Sequence, residues 1–153
     1  MTNKKHLTAL VALLMTTLAF ADTMASRKIP ANGTKVNLYF GETQIPAVLN
    51  DNLTAHELLA RLPWTVRVTR YEVDFCGTIG KDDFTLHEGE VVRGWKNGDI
   101  CFTADGTYFS VLFDGEKRQG GNMVNVGIVT CPLEKLTVLH GTFSVRIEKE
   151  AEQ

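Results

Sequence analysis

The sequence predicts a mainly β domain: a closed barrel or sandwich of mostly antiparallel strands with one short helix. Three observations carry this. Apolar residues recur in short runs of strand length. The runs are rich in Val, Ile, Phe, Thr and Tyr, which suit a pleated surface. Turn signals separate them at close spacing: Asn97-Gly98-Asp99, Ala104-Asp105-Gly106 and the stretch DGEKRQGG.

The elements follow in order. TKVNLYF alternates Val36, Leu38 and Phe40, a period of two that buries one face. GET makes a turn, and QIPAVLN returns as the hairpin partner, with Pro46 expected at an edge or bulge. LTAHELLARLP reads as the one helix, about residues 54–62. Thr54 is the expected N-cap, Glu57 completes a capping box, and Leu53 can pack on Leu58 as a hydrophobic staple. Leu58, Leu59 and Leu62 give the helix its apolar face, and Pro63 stops it. A helix this short must lean on a sheet to persist. WTVRVTRYEVDF, GEVVRGW, DICFTA, TYFSVLF, NMVNVGIVT and GTFSVRIEKE are further strand-like runs. CPLEKL reads as a helical turn near 132–137, with Pro132 in its first turn.

The chain of 153 residues fits one domain, expected over residues 34–149. Its formal net charge of −2 argues against a nucleic-acid partner, which would show a basic excess or stripe. Residues 1–21 carry Lys4 and Lys5, then an apolar run, then Ala19-Phe20-Ala21. That pattern predicts a secretory signal peptide cleaved after Ala21. Its apolar run is shorter than the about 20 residues of a spanning helix, so no integral membrane span is expected after cleavage. Removing Lys4 and Lys5 takes the charge from −2 to −4. Residues 22–33 then form a flexible lead-in, and the protein is expected to be secreted or periplasmic. Cys76, Cys101 and Cys131 sit beside apolar or β-branched residues and read as buried small hydrophobes.

LNDNLTAHELLARLPWTVRV resembles the opening of the small bacterial cyclophilin-like domains. NGDICF with GTYFSVLFDG is similar to their central hairpin, and MVNVGIVTCPLEKL to their last conserved segment. The resemblance runs from about Thr34 to Glu148. It implies a closed cyclophilin-like β-barrel capped by a helix. It does not fix an activity, because a shared fold is not a shared chemistry.

Catalytic signatures are sparse. KRQGGNM contains the Gln-Gly-Gly of the prolyl isomerases, but a charged turn precedes it and only five residues separate Gly121 from Gly127. It reads as a turn into the next strand, with Gly120 or Gly121 at positive φ and Gln119 exposed. The isolated histidines lack metal-ligand spacing, and no metal or cofactor is expected. No nucleophile elbow, phosphate loop or dinucleotide fingerprint occurs. The candidate ligand-binding residues are Arg93 and Trp95, which could line a barrel mouth, with Tyr71, Phe75 and Phe113 as further wall. The expected function is a binding module for a small molecule or peptide. The alternatives are a prolyl isomerase with a non-standard arginine, and a domain that binds partners by strand addition.

Overall fold

The computed structural model describes residues 22–118 and 120–153; the predicted leader 1–21 and Gln119 lie outside the described residues. The elements are β1 (Thr34–Phe40), β2 (Thr43–Leu49), α1 (Leu53–Ala60), β3 (Trp64–Arg70), β4 (Asp74–Thr78), β5 (Val91–Arg93), β6 (Asp99–Thr103), β7 (Tyr108–Leu112), β8 (Asn122–Val129), α2 (Glu134–Thr137) and β9 (Thr142–Lys149). The strands run in the order β2-β1-β9-β3-β4-β7-β6-β8-β5, and β2 also pairs with β8. That extra pairing closes eight antiparallel strands into a barrel and leaves β5 outside the ring.

The alternation read from the sequence sets which side chains point inward. Val36, Leu38 and Phe40 of β1 face Phe75, Ile100, Phe102, Phe109, Val111 and Val124 in one buried cluster. Trp64, Phe84, Phe102 and Phe109 pack edge-on or tilted, with ring centres 4.5–6.2 Å apart, the arrangement aromatic quadrupoles favour. Ala55 and Leu58 of α1 join the same cluster, as do Leu133 beside α2 and Leu136 within it.

Pro46 lies at the end of the β2–β8 ladder. Its carbonyl accepts from the Thr130 amide at 2.9 Å, and the pairing proper begins one residue later at Ala47. The missing proline N–H therefore falls where the ladder stops. WTVRVTRYEVDF is not one strand but a hairpin, β3 and β4 joined at Tyr71–Val73. The turn carries neither Gly nor Pro, and the Tyr71 amide closes it on the Asp74 carbonyl at 2.8 Å. Gly121 has φ +75° before β8, as the turn reading of KRQGGNM requires.

The helix is capped differently from the sequence expectation. Asn52, not Thr54, is the N-cap, and its side chain accepts from the Ala55 amide at 2.8 Å. Leu53 becomes the first helical residue and is exposed, so no staple to Leu58 forms. Thr54 and Leu53 instead give their amides to the Glu90 carboxylate at 2.9 Å each, and the Thr54 hydroxyl adds a bond of 2.8 Å. Glu57 pairs with Arg61 and accepts from the Thr85 amide. The orphan amides at the helix start are thus met from a distant loop. Partial burial pushes the Glu90 carboxyl up, but the three Thr54 and Leu53 donors and the nearby His87 outweigh it and hold it below the ordinary 4.5. Glu90→Ala is expected to cost about 1 kcal/mol, the scale of a lost cap. A depressed carboxyl contributes above its ordinary pKa and loses that contribution as pH falls through the folded value. The gap between wild type and variant in urea unfolding should therefore close below about pH 4.5.

Residues 22–33 lack regular structure, but residues 23 to 27 dock on the barrel. The Leu133 amide donates to the Thr23 carbonyl at 2.8 Å, and the Ser26 amide to the Asn97 carbonyl at 2.9 Å. A Cβ on Gly98 would lie 2.3 Å from the Ala25 Cβ, so only glycine admits this approach. The three cysteines are free thiols. Cys76 and Cys101 flank Ser110 on opposite neighbouring strands. Two strand spacings put them roughly 10 Å apart, beyond disulfide reach. Burial pushes the Cys101 thiol far above its usual pKa, which leaves it inert. No described helix is long and apolar enough to cross a membrane.

Candidate functional site

The segment between β5 and β6 is folded back by one carboxylate. Asp99 is fully buried and accepts from the Lys96 amide at 2.9 Å. Arg27, from the lead-in, clamps the same carboxylate through Nε at 2.7 Å and Nη2 at 3.1 Å. Two parallel bonds to a planar guanidinium fix both partners in direction as well as distance. The bond to Asp99 raises the Arg27 pKa, against the desolvation that lowers it.

Trp95 lies on this folded segment. Its indole N–H donates to the Asp114 carbonyl at 2.8 Å. Its ring packs on Cys101, Leu112 and Met123. Those three alternate with the inward Ile100, Val111 and Val124, so they belong to the outer face of β6, β7 and β8. Trp95 therefore covers the outer wall of the barrel and neither lines a mouth nor plugs an end. Beside it Arg27, Arg93, Lys96 and Glu116 border a cleft of about 240 Å³. Glu116 is held below its usual pKa, chiefly by the Asn97 amide and also by the Ser26 hydroxyl. Among the described residues neither Arg93 nor Lys96 makes a salt bridge.

A second cleft, of about 300 Å³, lies across the ridge formed by Asn97, Asp114 and Glu116. The Arg70 guanidinium sits 4.4 Å from the Phe113 ring centre. Its Nη1 donates to the carbonyls of Thr137 and Leu139 at 2.8 Å each, and Nε to the Tyr71 carbonyl at 3.0 Å. Thr23, Glu72, Asp114 and Glu134 complete the walls. Glu72 pairs with the exposed Arg118. The lead-in thus contributes Thr23 to one cleft and Arg27 to the other.

The five sequence candidates separate. Arg93 and Trp95 share the first cleft. Phe113 is almost fully buried under Arg70 in the second. Phe75 is wholly buried inside the barrel, on the strand parity opposite to Cys76, and neither cleft includes it. Tyr71 stands exposed at the β3–β4 turn, and neither cleft includes it. Sequence reasoning missed Arg27 and Lys96. Lys96 follows Trp95 directly and could have been included; Arg27 is placed only by a partner 72 residues away. Among the described residues no group of three or more His, Cys, Asp or Glu could hold a metal ion.

The site and fold together define a closed antiparallel barrel whose polar clefts lie on its outer wall. A family profile, the cyclophilin-like family, matches residues 38–148. The chain belongs to the cyclophilin-like family. Among solved structures it is similar to the solution structure of the hypothetical protein AF2241 from Archaeoglobus fulgidus, at 14% identity and a TM-score of 0.54, over 77% of this chain and 95% of that one. At that identity the likeness speaks to fold alone. No curated protein sequence matches the chain.

Proposed function

We propose that this is an exported cyclophilin-like binding module, and that its ligand is a small anion or the carboxylate end of a peptide. One observation carries the reading. Arg93 and Lys96 stand without a salt-bridge partner among the described residues, beside a pinned indole and a fixed Arg27. Cations at the rim of an aromatic wall suit a carboxylate attached to a flat or apolar body. Export rests on the leader pattern of residues 1–21.

The other readings find less support. Strand addition needs a long free edge, and among the described strands only β5, three residues long, has a single partner. Isomerase chemistry needs a guanidinium over an apolar, proline-sized pocket. Arg118 is tied to Glu72, Arg93 borders a polar cleft, and Arg70 spends its donors on carbonyls among acidic neighbours.

The test is fluorescence titration with benzoate and with short peptides ending in an aromatic residue. Binding should quench the exposed side of Trp95 and weaken as salt rises. Arg93→Ala combined with Lys96→Ala should reduce affinity about tenfold or more, the worth of one or two charge-assisted bonds. Binding that ignores both the double substitution and salt would refute the assignment.

A further inference from the structure

We propose that Asn32 is a site of spontaneous deamidation, at which the lead-in is converted by water alone to an aspartate and an isoaspartate form. The site shares no residue with the Arg93–Trp95 cleft and stands independently of the binding reading.

The sequence holds two Asn-Gly pairs, Asn32-Gly33 and Asn97-Gly98. Asparagine is a thermolabile residue. A following glycine favours its loss, because without a Cβ the backbone nitrogen and the carboxamide approach closely. The structure separates the two pairs. Asn97 is half-buried and Gly98 is buried. The Asn97 amide donates to the Glu116 carboxylate at 2.9 Å, and the Asn97 side-chain oxygen accepts from the Glu116 amide at 3.2 Å. The Asn97 carbonyl accepts from the Ser26 amide at 2.9 Å. The Gly98 amide, whose nitrogen would have to attack, donates to the Leu112 carbonyl at 2.7 Å. The groups that ring closure would move are thus held on both residues. Asn32, by contrast, is exposed on a turn, and the Gly33 amide bonds the Pro30 carbonyl at a long 3.2 Å.

The reaction needs no reagent but water. The Gly33 nitrogen attacks Asn32 Cγ as it loses its proton. The new N–Cγ bond closes a succinimide, the Cγ–Nδ2 bond breaks, and ammonia leaves with that proton. Water then adds to one of the two ring carbonyls. Opening at Cγ gives aspartate. Opening at the main-chain carbonyl gives isoaspartate, in which the backbone runs through Cγ and is one carbon longer. Gly33 cannot be exchanged for a slower neighbour, since a Cβ there would collide with Val48 Cγ1 and lie 2.8 Å from the Leu49 carbonyl oxygen.

That same tight fit directs the consequence. Gly33 is fixed against β2, and Arg27 is fixed on Asp99. An extra backbone carbon at residue 32 is therefore taken up between them, where Ile29 borders the cleft on β1 and β2. No side chain of residues 22–33 belongs to the interior cluster, so the barrel core is untouched.

The test incubates the purified full chain at mildly alkaline pH and maps its peptides by mass for exchange of NH for O. In the folded chain Asn32 should react at least about tenfold faster than Asn97, because a guarded pair reacts only from an opened state. In urea the two rates should converge. Asn32→Gln, whose longer side chain closes a less favourable ring, should silence the exchange in that peptide without moving the melting temperature. In the isotope-labelled chain, amide shifts should grow with time at Ile29 and Gly33 but not at the interior Leu38 and Val145. Asn97 reacting as fast as Asn32 in the folded chain would overturn the proposal. So would an intact Asn32 after the urea control has reacted, or exchange in the same peptide that persists in Asn32→Gln.

Discussion

Phe102→Ala is expected to remove about 4 kcal/mol of stability, within the range for deleting a buried ring. Phe102 is fully buried and touches Phe84, Phe109 and Trp64, with centroid distances of 4.5, 5.5 and 6.2 Å. Two of these neighbours have little freedom to close the void. Phe109 is on β7, paired directly across from Phe102, and Phe84 is held from outside by the Arg61 guanidinium at 4.3 Å. Lost transfer energy and a residual cavity therefore add. Equilibrium urea unfolding at unchanged slope measures the loss, and Trp64 emission should shift as its packing partner leaves. Phe102→Leu should cost under half as much. A loss below about 1.5 kcal/mol for the alanine variant would mean that the barrel collapses around the site.

The second large effect is expected at Arg27→Ala, about 3 kcal/mol. Removing one partner of a buried pair leaves the other charge stranded. Asp99 has 1% of its side chain exposed and would keep only the Lys96 amide as a donor. Arg27 is 37% exposed, so water softens the penalty towards the lower end of the usual range. Because the stranded charge is the cause, Arg27→Ala combined with Asp99→Asn should be less damaging than Arg27→Ala alone. A double-mutant cycle in urea decides this. If the single variant is as stable as wild type, the lead-in is not anchored through this pair.

Much of the barrel was legible because period-two alternation is local. Val36, Leu38 and Phe40 name their own face, and β6 to β9 begin and end near the turn residues that flank them. The failures are cases where distant residues decide. Thr54 looked like a cap, but Glu90 reaches across 36 residues to take its amide and hydroxyl, and Asn52 caps in its place. The β3–β4 turn was invisible because alternation continues through Tyr71, Val73 and Phe75 without a breaking residue. In the candidate site, Arg93 and Trp95 are close in sequence and border one cleft, on the outer wall instead of the expected barrel mouth. Phe75 and Phe113 were not separable from them, since an aromatic residue reads the same whether its strand turns it inward or outward.

The family match begins at residue 38, whereas the lead-in supplies Thr23, Arg27 and Ile29 to three different clefts. The cleft walls thus include a short tract that is neither strand nor helix. Exchanging such a tract leaves the barrel core untouched, because none of its side chains enters the interior cluster. In the proposed binding role Thr23 and Ile29 vary apart from the interior cluster, whereas Arg27 must stay to neutralise the buried Asp99. Grafting residues 22–33 between related barrels with Arg27 retained would test whether this tract sets the proposed binding preference.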